Sequence, residues 1–158
     1  LERIYRVPSN HILQIHGGLY PYCDEPPILG HGNVKKIKEY REKAERAAEE
    51  YDEGKESIYN AVANYYERTF KNTNECMSFR GIFFRQLTEV NNVEIIGHSF
   101  GEVDMPYFTY LKYCISKNAK WKFYYHSSED YNAAEKAVKE LELDIGDYEI
   151  LPSDCFWQ

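Results

Sequence analysis

Residues 93–108 read VEIIGHSFGEVDMPYF, and the interpretation of this stretch decides the fold. A short apolar run, Val93 to Ile96, breaks into Gly97-His98-Ser99-Phe100-Gly101. Asp104 and Pro106 then stand where a helix begins, Asp as N-cap and Pro in the first turn. Strand, glycine-bounded turn and helix start, in that order, form the layout in which an α/β protein places ligand chemistry, outside the carboxyl end of a strand.

Downstream the pattern repeats. The helix opened by Asp104 runs to about Lys117, with Tyr107, Leu111, Cys114 and Ile115 on its apolar face and Phe108 close by. Trp121 to Tyr125 is an aromatic strand with Lys122 directed to the opposite face. Ser127 or Ser128 caps a further helix to about Leu141, Asp144 to Asp147 turns, and Tyr148 to Leu151 is a last strand. Strand, helix, strand, helix, strand predicts an α/β fold with a mostly parallel, Rossmann-like sheet flanked by helices.

Upstream lies a long helical insertion, about residues 34–90. From Val34 to about Lys71 apolar residues step by three or four, and Gly54 is the expected break. A third helix is expected from Thr73 or Asn74 to Val90, burying Cys76, Phe79, Phe83, Phe84 and Leu87. Before the insertion, Asn10 to Ile15 reads as a short strand ending at His16-Gly17-Gly18. Leu19 to Gly32 is turn-like, since Pro21, Pro26, Pro27, Gly30 and Gly32 forbid a long helix, and Asn33 is placed to cap the next one. The expectation is a single α/β domain over 1–158. It begins at Leu1 without Met, and LERIYR reads as the last turn of a helix already under way, so the chain reads as the C-terminal part of a longer protein.

Composition bounds the function. A formal charge of −7 argues against a nucleic-acid partner, because phosphate-backbone binders need a positive field. The four cysteines, Cys23, Cys76, Cys114 and Cys155, form no C-x-x-C pair and read as reduced thiols of a cytoplasmic protein. No apolar run approaches the roughly 20 residues of a membrane span, which argues against a membrane partner.

Two chemistries compete for the central turn. Gly97-His98-Ser99-Phe100-Gly101 fits G-x-S-x-G, and His16-Gly17-Gly18 resembles an oxyanion-hole segment, which together suggest a serine hydrolase using Ser99. A hydrolase also needs an acid and then a histidine further along the chain. Only His126 follows Ser99, and the acids Glu102 and Asp104 lie inside the turn itself. The helix start also waits until Asp104, whereas a nucleophile elbow enters its helix at once. The alternative is a nucleotide-fold loop.

Three segments together, Gln14-Ile15-His16-Gly17, Ile28-Leu29-Gly30-His31-Gly32 and Ile95 to Asp104 followed by Tyr107-Phe108, resemble the AbiH family of bacterial abortive-infection proteins. The resemblance runs from LERIY through the strand Lys122 to Tyr125. Its most specific piece is GHSFGEVDMPYF, with serine and aspartate five apart before an aromatic pair. It implies a phage-defence protein. More remotely, AbiH-like sequences resemble sirtuin-type NAD-binding domains, which implies a pocket for NAD or another nucleotide at strand-end turns. Departures from the sirtuin pattern argue against deacylase chemistry. The glycine-rich nucleotide loop is absent, Cys23 alone stands where four zinc cysteines would, and no histidine lies near LERIYR.

The candidate ligand-binding residues are therefore His16, Gly17, Gly30, His31, Gly32, Gly97, His98, Ser99 and Asp104, with catalytic residues unassigned. His31, between two glycines, reads as exposed. Asp104 reads equally as a helix cap, and His126 as a neighbour facing the same crevice. Zinc on His16, His31 and His98 has no ligand spacing behind it. A non-catalytic protein contacted by a phage or host trigger through the charged helices is the third functional class considered.

Overall fold

Residues 6–18 and 27–157 are described by the computed structural model. The sequence readings placed on 1–5 and 19–26, Cys23 among them, lie outside the described residues. By contact density the chain divides into two compact units, Leu1–Cys76 and Met77–Gln158.

In the first unit the expected strand at Asn10 to Ile15 does not form. Pro8 leads into a 3-10 turn, Ser9–His11, in which the amides of His11 and Ile12 donate back to Pro8 and Ser9. Those local bonds use the amides a strand would need for a neighbour. The unit is dominated by a helical hairpin of α1 (Val34–Glu49) and α2 (Glu53–Arg68). The Asn33 side chain accepts the Lys36 amide at 3.0 Å, as a cap should. The break is not at Gly54, which sits inside the first turn of α2. It is made by Tyr51, with φ at +56°, and by Asp52, whose carboxylate accepts the Lys55 amide at 3.1 Å.

Alanines 44, 47 and 63 are buried in this unit, small enough to let helices approach closely. Around them the hairpin is held by polar groups. Arg41 forks onto Glu67 at 3.0 and 2.7 Å and reaches Asn60 and Asn64 at 2.9 and 2.7 Å. Tyr40 stacks on Tyr66 with centroids 6.0 Å apart. Lys36 and Lys43 donate to Glu39 at 2.8 and 2.7 Å, which holds its carboxyl down from 4.5 to about 2.

Beyond the hairpin the expected third helix is two short ones, α3 (Thr73–Phe79) and α4 (Gly81–Arg85), broken at Arg80. Cys76 and Phe84 are buried as expected, but Phe79, at the break, is 73% exposed.

The second unit contains the three strands found among the described residues: β1 (Asn92–Ile96), β2 (Lys120–Tyr125) and β3 (Tyr148–Pro152). They pair parallel in the order β1-β2-β3, with Ile95, Phe123 and Ile150 in one row. Each parallel step needs a crossover, supplied by α5 (Met105–Cys114) and then α6 (Ser128–Glu140). Alternation sends Val93, Ile95, Trp121, Phe123, Tyr148 and Ile150 to one face, where Met105, Leu111, Ala134, Ala137 and Leu141 of the crossover segments meet them. Both crossovers cover the same face. The other face carries the Glu94–Lys122 ion pair at 3.9 Å, and Phe156 of a terminal 3-10 turn packs edge-on against Tyr124. No described helix is long and apolar enough to cross a membrane.

Two outcomes follow. Phe123 is fully buried, so Phe123→Ala is expected to cost about 3–5 kcal/mol, read as a lowered urea midpoint; a loss below about 1 kcal/mol would refute its central place. Because Glu39 titrates lower when folded, its contribution is complete above about pH 4.5 and is lost as pH falls toward 2. Helicity followed by circular dichroism should show that acid limb, weakened by salt. Identical acid profiles for wild type and Glu39→Gln would remove the pair from the account.

Candidate functional site

Parallel pairing leaves the carboxyl ends of all three strands on one rim of the second unit. A cavity of about 400 Å³ opens there. Ile96, Gly97, His98 and Ser99 line it from the end of β1, Tyr124, His126 and Asp130 from β2 and the start of α6, and Ser153 from the end of β3.

The β1 turn is built on two left-handed residues. Gly97 has φ at +66° with open space where a Cβ would stand, and Phe100 has φ at +52°. A left-handed non-glycine residue costs about 1–2 kcal/mol. His98 stabilises it: its Nδ1 accepts the Phe100 amide at 2.9 Å. A neutral ring that accepts through Nδ1 carries its proton on Nε2, and Nε2 lies 3.7 Å from Asp104 Oδ2. The ring is walled by Phe108 and Phe100, with centroids at 4.8 and 5.2 Å, and Phe100 leads on to Phe123 in the core at 5.6 Å. The turn is thereby tied to the sheet interior, and Ser99 is left exposed at its tip.

Asp104 occupies the N-cap position of α5 as expected, but its side chain makes no capping bond. Its backbone is already helical, φ −100° and ψ −13°, rather than in the extended conformation typical of a capping residue. It does not line the cavity; its carboxylate faces His98 instead.

At the β2 turn a complete capping box forms. Ser127 Oγ accepts the Asp130 amide at 3.2 Å, and Asp130 Oδ2 accepts the Ser127 amide at 3.0 Å and the His126 amide at 3.3 Å. Donation from the Ser127 hydroxyl, then from its amide, holds the Asp130 carboxyl below the usual range. The neighbouring Glu129 is lowered as well, first by its own backbone amide.

The other five candidates belong to the first unit. His16 accepts the Ile28 amide through its carbonyl at 2.7 Å, and Gly17 has φ at +68°. Gly30 permits a close crossing, because a Cβ there would collide with the Thr69 carbonyl oxygen. His31 is half-buried rather than exposed: its backbone bridges Thr69 and Lys71 at 3.0 Å each, and its ring stands edge-on to Tyr66. Gly32 is exposed, with its carbonyl turned to the Val34 amide.

Two chemistries lose support. Ser99 and His126 share the cavity, yet no hydrogen bond joins them among the described residues, and α5 starts only at Met105. For zinc, Nδ1 of His31 and of His98 is already bonded to backbone, at 3.0 and 2.9 Å. No cluster of three metal-ligating side chains occurs among the described residues.

Sequence reading missed Tyr124, Asp130 and Ser153. The S-x-x-D spacing of Ser127 and Asp130 carried the capping-box signal, and β2 alternation would have set Tyr124 opposite the core. Ser153 had no local signal.

These features define an α/β protein with a ligand-sized pocket at the carboxyl rim of a small parallel sheet. The family model for bacteriophage abortive infection AbiH matches residues 1–125, and the chain belongs to that family. No curated relative and no solved structure matches it. Family membership supports a role in phage abortive infection.

Gly97→Ala is expected to cost about 1–2 kcal/mol through backbone strain alone, since nothing stands where its Cβ would go. Gly101→Ala, equally open but without a positive φ, should be near neutral by urea unfolding. Equal costs at the two positions would contradict the strained-turn account.

Proposed function

We propose that the chain acts in abortive infection by binding a nucleotide-type ligand, NAD or a related compound, in the strand-end cavity, with its sheet used in the Rossmann-like manner. The observation carrying this reading is the convergence of three strand ends on one cavity of about 400 Å³, a volume suited to a small ligand. In open parallel sheets ligands bind at that rim. A second cavity of about 380 Å³ lies beside Trp121 at the amino ends of β2 and β3. Its Lys112 is spent on the Leu141 and Glu142 carbonyls at 2.5 and 3.1 Å, closing the end of α6. That favours a packing role there. The strained turn and the exposed Ser99 belong to the first cavity.

The reading is tested by filling the cavity. Ser99 is exposed, so Ser99→Trp should fold normally while obstructing the opening. The wild-type chain should show a thermal shift with NAD, ADP-ribose or a nucleoside triphosphate, and lower phage plating in cells expressing it. Ser99→Trp should lose both at an unchanged unfolding midpoint. Full phage protection by the variant, or no shift with any of these compounds, would refute the pocket.

A further inference from the structure

The lining of the strand-end cavity specifies which part of a nucleotide can enter it. We infer that the cavity takes the sugar of a ribonucleoside, holding its vicinal hydroxyls on Asp130, and excludes phosphate. This inference rests on the pocket reading above and deepens it.

Phosphate recognition at a strand end commonly uses unpaired helix-start amides, a lysine or an arginine. The cavity lining contains neither cation. The start of α6, the helix end that enters the cavity, is already served by carboxylates. Glu129 and Asp130 both stand in its first turn, and the Asp130 amide is taken by Ser127 Oγ at 3.2 Å. The partial positive charge of the helix end is thus offset from within the chain. A phosphate placed there would meet a carboxylate with no lysine or arginine in the lining to offset it.

A pair of hydroxyls meets the opposite situation. Both backbone donors held by the Asp130 carboxylate, the amides of His126 and Ser127, fall on Oδ2. No backbone amide falls on Oδ1, and Asp130 lines the cavity. A carboxylate anchored by backbone amides through one oxygen keeps lone pairs on the other to accept from a diol, the role an acidic residue plays toward ribose hydroxyls in dinucleotide folds. Ser99 and Ser153 add hydroxyls able to donate or accept, and Tyr124 adds an aromatic ring. Donors and acceptors of neutral character around one anchored carboxylate suit a ribose and a base face. Any phosphates of the ligand then lie toward the open mouth.

Titration calorimetry and amide chemical-shift mapping on the wild-type chain would use NAD, adenosine, 2′,3′-dideoxyadenosine and inorganic phosphate. NAD and adenosine should perturb the Gly97, Ser99, Asp130 and Ser153 amides, and removal of both hydroxyls should weaken adenosine roughly ten- to a hundredfold, the range for hydrogen bonds to a charged group. Asp130→Asn, which keeps one oxygen for the two amides, should weaken adenosine similarly while leaving dideoxyadenosine unchanged. Ser127→Ala, which removes the cap hydroxyl but leaves the carboxylate and both amides on its Oδ2, should lower the melting temperature but preserve the ratio between the two nucleosides. Equal binding of adenosine and dideoxyadenosine would overturn the diol anchor while leaving the pocket standing. So would inorganic phosphate perturbing those amides in the wild-type chain as strongly as adenosine does. Failure of NAD and both nucleosides to perturb any of them would remove the pocket reading, and this inference with it.

Discussion

A parallel strand finishes at the end of the sheet opposite to where its neighbour must begin, so no tight turn can connect the two. β2 is parallel to a neighbour on each side, and most of the second unit is a consequence of that. Two crossovers are required, and α5 and α6 must each have an apolar face to lay on the sheet. Trp121 and Phe123, nearly or fully buried, are what those faces cover. Large aromatic side chains of this kind bury about 150–250 Å² each. At roughly 25 cal/mol per Å² that is about 4–6 kcal/mol apiece as an upper bound. The same pairing rule collects three carboxyl ends on one rim. The cavity there is therefore a product of topology before any residue in it is chosen.

The two units are stabilised by different physics. The sheet unit relies on apolar area, whereas the hairpin of α1 and α2 has alanine contacts and a polar framework centred on Arg41. A planar guanidinium satisfying Glu67, Asn60 and Asn64 at once fixes the register of two helices more strictly than methyl groups can. Exposed ion pairs add little to stability at neutral pH and ordinary salt. The hairpin is thus specified more by geometry than by net energy. His31 belongs to this framework, since its ring lies against Tyr66 and its backbone bridges the residues that end α2.

The parts of the fold that were legible in the sequence are those whose cause is local and periodic. The apolar run Val93 to Ile96 and the aromatic run Trp121 to Tyr125 marked strands close to the observed ones, and the Asn33 cap and a cap at Ser127 or Ser128 were read from residue type alone. The parts that were not legible depend on competition between local and distant bonds. Asn10 to Ile15 has the composition of a strand, but the turn after Pro8 uses its first amides. Gly54 looked like the break, yet a left-handed Tyr51 and the Asp52 cap end one helix and start the next before Gly54 is reached. Phe79 has a core residue's chemistry and a helix end's exposure. In the candidate site, Gly97, His98 and Ser99 were visible as a motif. Asp130 and Ser153 reach the same cavity from turns 30 and more residues further along the chain, which spacing within one motif cannot reveal.

The GHSFGEVD segment then has a division of labour that its spelling conceals. Its histidine and aspartate are turned toward each other and toward the chain, His98 holding the amide of a strained Phe100 and Asp104 facing the far nitrogen of the ring. Strain of this kind persists only where surrounding structure over-determines it. Here Phe108 and Phe123 provide that surround. Beside Ile96 and His98, the arrangement brings a glycine backbone and a serine hydroxyl to the cavity, held on a rigid base. A nucleophile would need a base bonded to it; a binding surface needs only groups that do not move when the ligand arrives. The five-residue spacing of Ser99 and Asp104 fits the second requirement: the serine stands at the cavity, and the aspartate faces the histidine that holds the serine's turn.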